Sequence, residues 1–350
     1  MTAVLDAPLV DIPDASDARK HRIRRNVVVT TIVGVVAFAL FILTIAIGTT
    51  FISPLDVLHS LIVGGDPKVD FVVRELRLPL AVSALAVGLA LGLAGPLFQR
   101  VLGNPLAAPD FVGVSSGASV FAAATIIVFH GSGVQVSLAA LAGAGVTSFL
   151  IYLLAWRSGI NGFRFILIGI GVTEFMISIN AYILTRAQIW DARSALSWIV
   201  GSVGNAGIPE IAALVVIVVI AFPIAVILMR PLHALELGDQ PAAALGVRVE
   251  WARIALLLVA IVLVGFATAA AGPIPFVALM AGPIAARMLG SSAGGIVAAG
   301  FVGAVIVLVS DLIAVHVMPV PLPTGVVTGL IGGPYLIWLL IRVNKEGRGG

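Results

Sequence analysis

Apolar runs of bilayer-crossing length recur along this 350-residue sequence, and that recurrence decides what it can fold into. They fall near residues 27–48, 79–99, 111–130, 134–156, 165–185, 210–229, 253–271, 276–289, 294–316 and 324–341, with polar breaks between them. A spanning helix needs about 20 apolar residues. Backbone amides in the hydrocarbon core must be satisfied internally, and unbroken apolar runs of this length do so as helices. The expected fold is an all-α polytopic membrane protein of about ten transmembrane helices. The eighth run is short and carries Pro273, Pro275 and Pro283 in or beside it, which predicts a broken or partly re-entrant helix. Only 11% of the residues are charged, against roughly 25% in soluble domains. Most of the surface must therefore face lipid.

Arginine and lysine set the orientation, because loops that carry them stay in the cytoplasm. With the N-terminus inside and ten alternating spans, fifteen of the 20 basic residues fall on the inner side and five on the outer. The outer five are Lys68, Arg74, Arg77, Arg186 and Arg193. Both termini are thus expected in the cytoplasm, and the protein in the cytoplasmic (inner) membrane. Residues 1–25 read as a disordered tail, acidic and then basic, that is not a cleaved signal because the run behind it is too long. Residues 26–343 form one permease-like transmembrane domain, and 344–350 a second cytoplasmic tail.

Several chemistries are excluded. With no cysteine there is no disulfide or thiolate metal site. His59, His130, His233 and His316 stand singly, without the spacing of metal ligands. No G-x-x-x-x-G-K-[ST] loop is present, so any nucleotide-driven step needs another chain. No basic patch suits nucleic acid. No catalytic residue, cofactor or metal is expected, and the chain reads as a transport subunit rather than an enzyme.

The stretch "LELGDQPAAALG" (235–246) stands out between two long apolar runs. Asp239 can cap a short helix, with Pro241 in its first turn and Gly246 as its stop. Its exposed side would be mostly alanine. A surface this small and smooth suits a groove on another protein, and it equally suits an interfacial loop helix.

Further blocks stand in order along the chain: "RLP" (77–79), "NPLAAPDFVGVSSGAS" (104–119), "WIVGS" (198–202), "GPIPFVALMAGPIAAR" (272–287) and "LPTGVVTGLIGGPYLIWLL" (322–340). With the L-G…L-G-V segment, they resemble the FecCD/BtuC-like permeases of ABC importers for iron–siderophore, haem and cobalamin. The "LIGIG" (167–171) and "GGPYLIWLL" (332–340) variants are most similar to a permease subunit of ferric-enterobactin-type systems. The resemblance implies a type II importer bundle that moves ferric siderophore inward. It implies as partners two ABC ATPase subunits, a second permease subunit (a heterodimer in preference, with a homodimer as the alternative), an extracytoplasmic substrate-binding protein and membrane lipid. It makes Leu237, Gly238, Asp239, Ala242, Ala244, Leu245 and Gly246 the ATPase-coupling helix, and Asn104 and Pro105 part of a cytoplasmic loop. A cobalamin or haem permease, an ion-coupled secondary transporter and a structural subunit of a larger membrane complex are the alternatives. The chain departs from the family pattern at Leu80, at Gly282-Pro283-Ile284, at Pro321 and around Val315-His316.

Five polar residues carry two readings each. The resemblance makes Arg74 and Arg77 docking residues for the binding protein, where charges steer and orient; otherwise they snorkel at the interface. Glu174 lies midway along the fifth run, with Asn180 about two turns on, at a depth where an ionisable group is costly. It borders the translocation path or bonds a neighbouring helix. Asp311 in the ninth run matches a family position near the outer face; it borders the path or, in preference, makes a helix–helix bond.

Overall fold

A computed structural model describes residues 15–109, 113–156, 162–290 and 295–346, and among them there is no strand. The expected spans appear as α1 (Ala15–Ala46), α4 (Leu78–Val101), α5 (Val114–Ile127), α6 (Val134–Ala155), α7 (Gly162–Thr185), α9 (Ile208–Ile227), α12 (Val249–Ala271), α13 (Val277–Leu289), α14 (Ile296–His316) and α15 (Thr324–Glu346). Shorter helices join them: α2 (Pro54–Ile62), α3 (Pro67–Phe71), α8 (Ile189–Val200), α10 (Met229–Leu235) and α11 (Asp239–Ala244). Eight of the described helices are long and apolar enough to cross a membrane, and α5 and α13 are shorter apolar helices.

The boundaries need correction at four places. The tail expected to be disordered through residue 25 is helical from Ala15 on, and residues 1–14 lie outside the described residues. The Ala, Lys and Arg residues of this stretch favour helix propagation. At the other terminus α15 runs to Glu346, past the expected tail boundary. The third span, expected over 111–130, starts only at Val114, behind Gly113 in a left-handed conformation. Its 14 residues rise about 21 Å, less than the roughly 30 Å of hydrocarbon. Finally, α13 is short, as expected, but it continues unbroken through Pro283.

Pro283 has no N–H to offer the carbonyl four residues earlier, that of Leu279. The side chain of Gln99 on α4 supplies the missing donor, its Nε2 lying 3.0 Å from Leu279 O. Gly282 leaves the room: a Cβ there would sit 2.5 Å from Gln99 Oε1. The departure from the family pattern at 282–284 therefore has a local solution inside this chain.

At the centre of the bundle α4 packs against α12, α13 and α14, while α5 packs against α6 and α7. Windows of α4 and α12 are each 67% buried, the highest values among the spans. Phe98, Leu93 and Leu97 of α4 and Leu256 and Leu263 of α12 are fully buried. Arg25 donates to Met288 O, and Arg287 lies over the ring of Trp338 with its guanidinium carbon 4.2 Å from the centroid. The start of α1 and the ends of α13 and α15 thus share one end of the bundle, called here the terminal end. The other is the far end.

Candidate functional site

The 235–246 segment lies at the terminal end. Glycines close both sides of α11, Gly238 with φ +103° and Gly246 with φ +81°. Only residues without a Cβ adopt such angles at no cost, which accounts for the repeated Leu-Gly. The cap of α11 is Gly238, with no side-chain bond. Asp239, expected as the cap, occupies the first helical position instead, and its Oδ1 lies 2.6 Å from Arg253 Nη2 on α12. Just before the turn, Glu236 Oε1 lies 2.6 Å from Arg100 Nε at the end of α4.

The faces of α11 are unequal. Leu237, Gln240, Pro241, Ala243, Ala244, Leu245 and both glycines are exposed, but Ala242 is fully buried. Ala242, expected on the outward coupling surface, is therefore part of the packing of α11, which lies against α10 and α12. The outward alanines are Ala243 and Ala244.

Asn104 and Pro105 border a cavity of about 270 Å³ at the same end, together with Gln99, Arg100 and Pro283. Asn104 Oδ1 accepts the Leu106 N–H at 2.9 Å and its own N–H donates to Gln99 O at 2.9 Å, so it shapes the turn out of α4. Asp110, Phe111 and Val112 of the same block lie outside the described residues.

At the far end, three of the ordered sequence blocks converge. Ser202 N–H donates to Ala271 O at 2.7 Å, and Gly325 N–H donates to Gly201 O at 3.0 Å. Behind this junction Asp311, which is buried, accepts from Thr324 Oγ1 at 2.9 Å. The Val203 N–H reaches the same hydroxyl oxygen at 3.4 Å. The expected helix–helix bond of Asp311 is thus a tie from α14 to the start of α15, and through Thr324 to the segment after α8.

Arg74 and Arg77 lie in a π-helical segment (Val72–Arg77) that leads into α4. Arg74 is exposed, and its guanidinium donates to Ser60 O. Arg77 is half-buried and donates to Ile45 O at 2.8 Å, Ala46 O at 3.0 Å and Thr50 O at 2.7 Å. The end of a helix leaves its last carbonyls without donors, and a cation there also offsets the dipole. Arg77→Gln is therefore expected to destabilise the chain by about 1–3 kcal/mol. Heating the detergent-solubilised protein and following its monodisperse fraction measures this, and an unchanged midpoint rejects the capping role.

Glu174 does not face another helix of this chain. It is exposed on α7, in a stripe with Leu167, Ile170, Ile177 and Tyr182, and its carboxylate makes no hydrogen bond among the described residues. Among the described residues the expected inter-helix bond is absent. Asn180, by contrast, is buried, and its Oδ1 has no partner among the described residues. The two polar residues of α7 therefore do different work.

Sequence reasoning missed α2, α3, α8 and α10. Ser53-Pro54 and Asp66-Pro67 are cap-and-proline pairs that could have revealed the first two. It also missed a far-end cavity of about 880 Å³ bordered by His130, Asp191, Arg193, Ser197, Asn205 and Glu210, which three separate stretches of the chain build.

Comparison with known proteins places these features in context. A model of the FecCD transport family matches residues 35–342. The ferric enterobactin transport system permease protein FepG of Escherichia coli (strain K12) is 39% identical over 81% of this chain and 87% of its own length. The Fe(3+)-citrate import system permease protein YfmE of Bacillus subtilis (strain 168) is 33% identical, over 91% of this chain and 96% of its own length. The fold also matches a chain solved in an inward-facing, metal-chelate type ABC transporter, with a TM-score of 0.78 at 22% identity, covering 89% of this chain and 98% of that one.

Proposed function

The chain belongs to the FecCD transport family, and from that premise we propose that it is the membrane-spanning subunit of an ATP-driven importer for a ferric siderophore. The observation that carries the reading is the family match, which runs from α1 to α15. Both relatives are named for ferric chelates, enterobactin and citrate. That supports an iron chelate over haem or cobalamin.

A chain without a nucleotide-binding loop takes its energy from a partner. Two ATPase subunits would engage the exposed face of α11 in this chain and in a second permease chain. The binding protein would dock at the far end, across the surface that holds Arg74 and Arg77, with Arg74 the more accessible of the two. The arginine and lysine bias supports the terminal end as the cytoplasmic side of the inner membrane.

Glu174 supports the second permease. A carboxyl exposed midway along a span does not sit against acyl chains; it faces a partner or water. A partner chain covering the α7 stripe would enclose the path, with Glu174 on its wall. A paralogous chain fits that place, because the resemblance is to one subunit type of a two-permease system.

Energy source is the direct test. Uptake of radiolabelled ferric chelate into cells is expected to stop on ATP depletion and to survive collapse of the proton gradient. Glu174→Gln, which keeps the shape and polarity, is expected to change the rate by no more than about twofold, in the range of a neutral surface change. Uptake that follows the proton gradient and vanishes in Glu174→Gln would replace the importer with a proton-coupled transporter.

A further inference from the structure

The attachment of α11 to the bundle is thin. Of its six residues only Ala242 is buried, and the turn before it, Glu236 to Gly238, is exposed. Backbone bonds such as Ala242 N–H to Gly238 O (3.1 Å) and Val247 N–H to Ala242 O (3.0 Å) hold the segment's own shape without tying it to the spans. A partner pushing on such a helix would tilt it before it moved anything in the membrane.

Two ion pairs bracket that turn and lead to different spans. Glu236 precedes Leu237-Gly238, and its carboxylate meets Arg100 in the last turn of α4. Asp239 follows, and its carboxylate meets Arg253 in the first turns of α12. The arginines are the sheltered members, with side chains 12% and 17% exposed, while the acids are 31% and 55% exposed. The guanidinium of Arg100 is held further by Met229 Sδ at 3.8 Å. The anchors thus sit in the bundle, and the acids that reach them belong to the exposed turn. The spans they lead to, α4 and α12, lie at the centre of the bundle and pack on each other.

We infer that Arg100 and Arg253 are positioning residues: through Glu236 and Asp239 they clamp the base of α11 to the ends of α4 and α12, so that displacement of α11 by a partner is carried into both central spans. This rests on the reading of α11 as the ATPase contact. Exposed ion pairs add little to stability. Their effect here is geometric, because two attachments on different helices remove the rotation that one would allow.

The test uses the complete importer in proteoliposomes, with ATP hydrolysis and chelate uptake measured on the same sample. Arg100→Glu, Glu236→Arg and Arg253→Glu are each expected to lower uptake per ATP hydrolysed about tenfold, with the ATPase still bound. The exchanged pair Arg100→Glu/Glu236→Arg is expected to return the ratio to within about threefold of the parent, since the clamp is rebuilt with its charges reversed. A merely structural role would lower the amount of complex, and hydrolysis and uptake together, at constant ratio. That result overturns the inference. So do single reversals that keep the ratio within about twofold, or an exchanged pair that accumulates normally without recovering. If a reversal fails to reach the membrane, the neutral Arg100→Gln and Arg253→Gln are read by the same criteria. Ala244→Arg separates the two levels. If it leaves the ATPase bound, the α11 contact itself is wrong. If it releases the ATPase while the reversals stay coupled, only the clamp fails.

Discussion

Ala244→Arg is expected to abolish uptake while the chain still folds and reaches the membrane. Ala244 is exposed at the end of α11, so a longer side chain there meets solvent in the isolated chain and strains nothing. Inside a groove that accepts only alanine, the same side chain must bury an unpaired charge, which costs about 3–5 kcal/mol. That weakens assembly with the ATPase by about a hundredfold or more. Co-purification of the ATPase with tagged permease reads the effect directly. Ala242→Glu on the same helix provides the contrast. Ala242 is fully buried within this chain, so its replacement should lower the amount of folded permease whether or not any partner binds. An Ala244→Arg variant with normal ATPase recovery and normal uptake would remove α11 from the coupling surface.

The two substitutions show where the sequence was legible and where it was not. The polar island between apolar runs, the Leu-Gly brackets and the small residues between them can all be read from the letters. Which of the three alanines is buried cannot, because it depends on how α11 lies against α10 and α12. Asp239 makes the same point. Its place at a helix start reads as a cap, but Gly238 already supplies the turn and the carboxylate is taken by Arg253, fourteen residues on. The long spans were legible because lipid imposes one requirement on all of them. The far-end helices α2, α3 and α8 are too short for that requirement to reveal them, and for α2 and α3 it is the local caps Ser53 and Asp66 that mark the start. Arg77 was legible as important through its R-L-P context. Its three carbonyl partners were not, since they come from the end of a different span.

Glycine is the residue whose role the sequence blurred most, and it yields the second large effect. The chain has 38 glycines, many at four-residue spacing, and small-xxx-small faces let helices approach closely in lipid. The spacing does not say which faces are used. Gly329 and Gly333 share it, yet a Cβ on Gly333 would meet nothing within 4 Å, and one on Gly329 only Pro275 at 3.9 Å. On α4 the approach is real. A Cβ on Gly92 would lie 2.3 Å from Ala299 O of α14, and one on Gly95 only 1.8 Å from Ala278 O of α13. Both obstacles are backbone atoms, which a rotamer change does not clear. Gly95→Ala must therefore push α13 off α4, in the part of the bundle where Gln99 also reaches Leu279 O. Overpacking of this kind costs about 1–3 kcal/mol even where side chains can yield, and here the expected cost lies at or above the upper end. Gly95→Leu should leave no folded chain. Gly145→Ala is the matched control: it lies in a span too, with nothing within 4 Å of the added atom. It should be neutral or stabilising by up to about 1 kcal/mol, because alanine restricts the unfolded chain more than glycine does. Size-exclusion of a fluorescently tagged permease after a temperature series compares the two. If Gly95→Ala survives heating as well as Gly145→Ala, α4 and α13 are not in backbone contact. The central position of α4, and the route from α11 into it, would then have to be redrawn.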